Sequence, residues 1–218
     1  MKTVQIAIDG PAGAGKSTIA KRVAKSLGYI HIDTGAMYRA ITLKAIRCHL
    51  DLSDQNAFDF IDQTRFDYVD GAIIMDGEDV SRRIRERDIS NSVSLVSSHY
   101  IVREKIVARQ QRLSKDLDIV MDGRDIGYNV LPRANYKFYL TADVKTRALR
   151  RYKENLDRGI ENTIAELEEE INARDAFDTR REHSPLKPAS DAIVIDTSNM
   201  SIEAVVDTII AKIREDEA

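Results

Sequence analysis

The stretch Val4-Gln5-Ile6-Ala7-Ile8-Asp9-Gly10-Pro11-Ala12-Gly13-Ala14-Gly15-Lys16-Ser17-Thr18 decides how the rest of the chain is read. Val4 to Asp9 is short, apolar and rich in β-branched residues, and glycines punctuate its end, so it predicts a buried strand running into a loop. Apolar residues then recur at helical spacing (Ile19, Ala20, Val23, Ala24, Leu27) until Gly28 closes the helix. Between strand and helix, residues 10–17 fit Gly-x4-Gly-Lys-Ser at every fixed position. Chance supplies those four positions in roughly one chain of this length in a hundred, and the flanking strand and helix make coincidence rarer still. Glycines let successive backbone N–H groups converge on one centre, and the helix adds its positive N-terminal end, so the loop is built to hold phosphates. Gly10, Pro11, Ala12, Gly13, Ala14, Gly15, Lys16, Ser17 and Thr18 are the candidate ATP-binding residues. Lys16 is assigned to the β- and γ-phosphates, and the Ser17 hydroxyl to direct ligation of Mg²⁺.

Outward from this loop the pattern alternates. Tyr29 to Asp33 predicts a second strand and Thr34 to His49 an amphipathic helix, an order that argues for a parallel sheet with right-handed crossovers. Further core strands are predicted at Asp118 to Asp122, Tyr136 to Thr141 and Ala192 to Asp196, with a terminal helix from Ser201 to Arg214. Two segments break the rhythm. Arg65 to Val80 carries short apolar runs separated by Asp70-Gly71 and Asp76-Gly77, which predicts an inserted antiparallel hairpin or meander. Arg147 to Arg181 is charge-dense and mostly helical in pattern. A helical period also runs from Ile89 to about Leu113.

Composition narrows the classes. The 33 basic and 36 acidic residues leave a formal charge of −3, so no global basic field draws nucleic acid or a membrane surface, and neither is expected as a partner. An anionic ligand must be held by a local cluster of Arg and Lys. No apolar run approaches the ~18 residues of a membrane helix, and the N-terminal run is too short for a signal peptide, so a reduced cytoplasmic setting is expected. The single cysteine, Cys48, lies in an apolar periodic stretch and is expected to be a buried structural thiol. The four histidines (His31, His49, His99, His183) show no ligand spacing. A monomer is the default expectation.

A phosphate-binding loop alone does not separate switches, motors and small-molecule kinases. The Asn-Lys-x-Asp motif of switch GTPases is absent from the sequence, whereas arginines recur near turns and strand ends. A kinase acting on an anionic acceptor needs such groups, because two polyanions must be brought together. Asp122, at the end of a core strand, fits either an acid that holds Mg²⁺ through water or a structural cap. Arg39, following Asp33-Thr34-Gly35, reads as a phosphate ligand or a surface residue. Arg150, Arg151 and Arg158 each read as a solvated helix face or as a contact to ATP phosphates.

Four motifs in order make the reading specific: Gly10 to Thr18, Asp33-Thr34-Gly35-Ala36-Met37-Tyr38-Arg39, Asp122-Gly123-Arg124-Asp125, and Arg174-Asp175-x-x-Asp178-x-x-Arg181. Together, from about Val4 to the last strand, the chain resembles the bacterial cytidylate kinases. The resemblance implies an α/β P-loop kinase fold: a five-stranded parallel core with helices on both faces, an inserted monophosphate-binding subdomain with a small antiparallel β element, and a helical lid. The core would comprise residues 1–34, 118–146 and 186–218, the subdomain 35–117 with its insert around 62–81, and the lid and acceptor-contacting segment 147–185. CMP or dCMP would be the acceptor and ATP with Mg²⁺ the donor. Tyr38, Arg39 and Arg124 would hold the acceptor's phosphate. Thr34, Arg103, Asp125 and Arg181 would read the pyrimidine, and Ser94, Arg174 and Asp178 would contact the sugar. Lys16, Arg39, Arg124, Arg151 and Arg158 would serve the transfer itself. The family often has Ser where this chain has Thr34, which keeps the hydroxyl. Chemistry supports the base assignment, because a carboxylate such as Asp125 accepts from the cytosine amine and repels the uracil oxygen. Other acceptors (UMP, AMP, shikimate) or a non-catalytic ATP-binding regulator are the alternatives.

Overall fold

In this computed structural model, which describes residues 3–69, 71–157 and 159–215, the chain runs in the order anticipated above. Strand β1 (Gln5–Asp9) leads to helix α1 (Lys16–Leu27), then β2 (Ile30–Asp33) and α2 (Thr34–Arg47). A 3₁₀ segment (Gln55–Gln63) precedes three short strands, β3 (Phe66–Val69), β4 (Ala72–Met75) and β5 (Glu78–Asp79). A 3₁₀ turn (Arg83–Arg85), α3 (Arg87–Val96) and α4 (Tyr100–Leu113) bring the chain back to β6 (Ile119–Gly123). A π-helical turn (Ile126–Val130), β7 (Tyr136–Thr141), α5 (Val144–Leu156), α6 (Ile164–Arg180), β8 (Ile193–Asp196) and α7 (Ile202–Glu215) complete it.

Five strands form one parallel sheet in the order β2-β6-β1-β7-β8, with Ile8 opposite Asp122 and Phe138. Successive side chains of a strand face opposite ways, and both faces of this sheet are apolar. Ile6, Ile8, Val120, Phe138 and Leu140 pack with residues of α1 and α7, while Ala7, Ile119 and Met121 pack against Ile126, Val130 and Leu131 and part of α4. The P-loop strand is therefore central, and the functional loops all leave from the C-terminal strand edge, where ligands of open α/β sheets bind. The antiparallel sheet β3-β4-β5 is separate and joins a second core with α2, α3 and α4. Helices α5 and α6 meet through a small cluster of their own, centred on Ala148, Leu167 and Ile171.

Some expectations needed correction. The helical period from Ile89 to about Leu113 is divided between α3 and α4. Ser97 and Ser98 return their hydroxyls to the carbonyls of Ser94 and Leu95, and His99 is extended (φ −64°, ψ 131°), so the chain breaks there. Cys48 is exposed, not buried, because α2 ends at Arg47 and the chain turns at His49 (φ 53°) before the apolar face comes round again. Of the two Asp-Gly turns, Asp76-Gly77 has both residues at positive φ (52° and 87°), while Asp70 lies outside the described residues. Among the described residues no helix is long and apolar enough to cross a membrane.

Candidate active site

The glycines of the first loop are there for space as well as conformation. Gly10 has φ 147°, and a Cβ there would run into the Leu140 carbonyl; at Gly13 (φ 77°) it would stand 3.1 Å from Arg147 Cβ on α5. Lys16 is buried and donates to the Pro11 carbonyl at 2.6 Å, folding back over the loop it serves. Burial first, and then the nearby Arg124 guanidinium, push the Lys16 ammonium well below its ordinary pKa. Buried Arg147 braces the loop from α5, donating to the Ala12 carbonyl at 3.1 Å and to the Ala142 carbonyl at 2.9 Å while pairing with Asp175 at 2.6 Å.

At the start of α1 the Ser17 hydroxyl donates to Asp122 Oδ2 at 2.6 Å, and His31 Nε2 stands 2.8 Å from the other Asp122 oxygen. Thr34 donates to the Asp122 backbone carbonyl at 2.7 Å. Ser17 and Asp122 thus offer a hydroxyl and a carboxylate side by side. Among the described residues, no group of three or more His, Cys, Asp or Glu could cage a metal. Such a donor set fits a hard cation that keeps its waters and takes most remaining ligands from substrate phosphates, as Mg²⁺ does.

The arginines of the cleft are held by carboxylates. Asp33 caps α2 by accepting from the Ala36 amide and pairs with Arg39 at 2.7 Å and Arg85 at 3.4 Å. Burial pushes the Asp33 carboxyl up, but the Arg39 and Arg85 guanidiniums and neighbouring His31 outweigh it and hold the pKa below its ordinary value. Arg124 donates to buried Asp178 at 3.2 Å, with Arg174 at 3.9 Å from the same oxygen. Burial, then the charge of Arg124, bring Arg174 down to about 9. Arg103 donates to Asp125 and, at 3.1 Å, to the Ser97 carbonyl, with its cation 5.4 Å from the centroid of the Tyr38 ring. Arg181 lies 4.0 Å from both Asp125 and Asp178, too far for hydrogen bonds. Tyr38 Oη, Arg39 Nε, Arg103 Nε, Arg174 Nε and Arg181 Nη2 are buried without a hydrogen-bond partner in the protein. All five belong to residues that line one cleft.

That cleft has a volume of about 980 Å³. It gathers the loop from Ala12 to Thr18 and, around it, Thr34, Tyr38, Arg39, Arg103, Asp122, Arg124, Asp125, Arg151, Arg174, Asp178 and Arg181. Gly10 and Pro11 sit behind the lining and shape the loop. Ser94 does not line the cleft; half-buried on α3, it leaves that role to Val93 and Ser97. Arg158 lies outside the described residues. Arg150, left open between solvent and ligand, turns its guanidinium onto Thr197 at 2.6 and 3.1 Å while still lining the cleft. Sequence reasoning gave no role to His31, Arg85 or Arg147, and Asp33 and Asp175 were signalled only by their places beside Arg39 and Arg174 in two of the four motifs.

A family model described as Cytidylate kinase matches residues 6–215. A cytidylate kinase of Geobacillus kaustophilus is 46% identical over 98% of this chain and 98% of its own length. One of Streptococcus suis is 49% identical over 99% and 98%. Among solved structures, a shikimate kinase from Bacteroides thetaiotaomicron superposes with a TM-score of 0.51 at 13% identity, covering 97% of this chain and 98% of that one, a likeness of fold alone.

Proposed function

We infer that this chain, which belongs to the cytidylate kinase family, transfers the γ-phosphoryl group of ATP to CMP, giving CDP and ADP. The observation that carries the reading is the buried Arg103–Asp125 pair facing the same cleft as the P-loop. It puts a carboxylate acceptor and a fork of donors, the complement of cytosine's amine and ring O2 and N3, within reach of the donor loop. A uracil oxygen set against Asp125 would leave a charge and a lone pair facing each other, a mismatch of about 1–3 kcal/mol or more.

The chain's own residues then divide the work. The amides of residues 12–16 and the Lys16 ammonium hold the donor's phosphates, Lys16 exchanging the Pro11 carbonyl for the β- and γ-oxygens. The triphosphate's charge restores the full protonation that burial opposes at Lys16. Tyr38, Arg39 and Arg124 hold the acceptor's phosphate, Thr34, Arg103, Asp125 and Arg181 the base, and Arg174 and Asp178 the sugar; the same contacts serve dCMP. Ser94 belongs to the sugar set only if α3 moves toward the ligand. An oxygen of the CMP phosphate forms the new bond to the γ-phosphorus in line as the bond to the ADP oxygen breaks. That oxygen is already anionic, so no general base is needed. Ser17 would hold Mg²⁺ directly and Asp122 through water, and the ion would supply charge neutralisation on the donor's phosphates. Residues 35–117 act as the monophosphate-binding subdomain, and 147–185, with Arg151 and Arg158, as a lid and acceptor-contacting segment whose closure excludes water that would otherwise take the phosphoryl group. The protein works as a cytoplasmic monomer. A coupled ADP-release assay with CMP, dCMP, UMP, AMP and shikimate tests the reading: CMP and dCMP are expected to be preferred, and strong preference for any other acceptor overturns it.

A further inference from the structure

Asp9 is the last residue of β1 and the neighbour of Gly10, yet it does not line the cleft. It is 3% exposed, and its two oxygens accept from the Ile126 amide at 2.8 Å and the Gly127 amide at 2.7 Å. Those amides open the π-helical turn Ile126–Val130, and the residue before them is Asp125. Asp125 sits in an unusual conformation (φ −146°, ψ 23°), and its carbonyl accepts from the Asn129 amide while its side chain takes Asn129 Nδ2 at 2.8 Å. Gly127 lies against this carboxylate: a Cβ there would touch Asp9 Oδ2 at 3.4 Å and press on Lys137 Cδ at 3.3 Å.

A residue that merely filled this space would be apolar. An aspartate is buried here with no hydrogen-bonded cation, against the repulsion of Asp125 and with only the more distant attraction of Lys16. Burying it carries a desolvation cost. Only a carboxylate presents two acceptors to two successive amides, so the chemistry matches the turn and not the core.

We propose that Asp9 is a positioning residue for base recognition, fixing through the amides of Ile126 and Gly127 the turn that aims Asp125 at the cytosine amine. This rests on the reading of Asp125 given above. One residue then ends the strand of the donor loop and anchors the loop that reads the acceptor, so the two sites are built from a common point.

The test is steady-state kinetics with CMP and UMP on Asp9→Asn, Gly127→Ala and Asp125→Ala. Asp9→Asn replaces one acceptor with a donor facing an amide; it is expected to lower the CMP-to-UMP ratio of kcat/KM about tenfold while the KM for ATP stays within twofold. Gly127→Ala, which keeps Asp9 but adds a methyl pressing on Lys137 Cδ (3.3 Å) and touching Asp9 Oδ2 (3.4 Å), is expected to shift the ratio the same way but less. It keeps the test alive if Asp9→Asn does not fold. An unchanged ratio in these variants, or a loss shared equally by CMP, UMP and ATP, overturns the proposal. An unchanged ratio in Asp125→Ala overturns the reading of Asp125 instead.

Discussion

Removing Arg103 probes most directly the buried pair proposed to read the base. The pair is nearly dry, with side chains only 5% and 6% exposed, so Arg103→Met leaves the Asp125 carboxylate buried without its principal cation. Breaking a buried pair on one side destabilises proteins by roughly 3–5 kcal/mol. Two further losses accompany it: the Ser97 carbonyl loses its donor at 3.1 Å, and the Tyr38 ring loses its cation. Against these, Asn129 still donates to Asp125 at 2.8 Å and Arg181 remains at 4.0 Å, which sets the net effect near the lower bound, about 3 kcal/mol. At ~2–4 °C per kcal/mol for a chain of this size, the melting midpoint falls by roughly 6–12 °C. Urea unfolding of the purified ligand-free variant measures this without involving catalysis. The double variant Arg103→Met with Asp125→Leu should recover part of the loss, because the orphaned charge is then gone. A single-variant loss below ~1 kcal/mol, or no recovery in the double, would show that the pair behaves as an exposed one and refute the reasoning.

Three other outcomes are expected. Lys16→Met should abolish turnover by several orders of magnitude while leaving the melting midpoint within a few degrees, because a buried ammonium donating to one carbonyl contributes little to the fold; ADP release and circular dichroism check the two halves. Asp33→Asn removes the charge that orients Arg39 and Arg85, and should raise the KM for CMP roughly tenfold, about 1.4 kcal/mol, with the KM for ATP little changed. Stability should also report Asp9, whose carboxyl is raised by burial from 3.8 to about 7. Between those pH values the folded chain keeps a proton that the unfolded chain has released. Its contribution is therefore full below about pH 4 and lost as the pH rises to about 7, at ~1.4 kcal/mol per unit. Asp9→Asn removes that slope, so from pH 5 to pH 8 its stability relative to the parent should rise by about 2–3 kcal/mol in urea titrations; a constant difference would refute the shift.

What the sequence revealed and what it hid follow from distance along the chain. The P-loop, the five strands and the inserted antiparallel element are written in residues that are neighbours, where period and glycine placement report directly on local conformation. The break at Ser97–His99 was masked because apolar residues lie at helical spacing on both sides of it, and only the serine hydroxyls betray it. The residues that brace the site were out of reach for another reason. Arg147 meets the Ala12 carbonyl across 135 positions, and Asp9 meets the Gly127 amide across 118. Neither interaction leaves a pattern in either segment. Arg103 was legible only by resemblance, since an arginine on a helix is usually solvated, and nothing local says that this one is buried.

The same arrangement explains how a chain with net charge −3 presents a cationic site. Arg39, Arg103, Arg124 and Arg147 each pair with an aspartate (Asp33, Asp125, Asp178 and Asp175 in turn), and Arg174 and Arg181 lie at 4.0 Å or less from these same acids. Free guanidiniums packed this densely would repel one another and swing into solvent, and each would have to be reorganised when the substrates arrived. Held by carboxylates, they stay in place. The phosphates then meet a field already oriented, which is where a reaction with little covalent work for the protein gains most of its rate. On this view the aspartates are as much part of the catalytic apparatus as the arginines. Neutralising one of them should weaken substrate binding even though it raises the site's positive charge, whereas a site working by charge alone would bind more tightly.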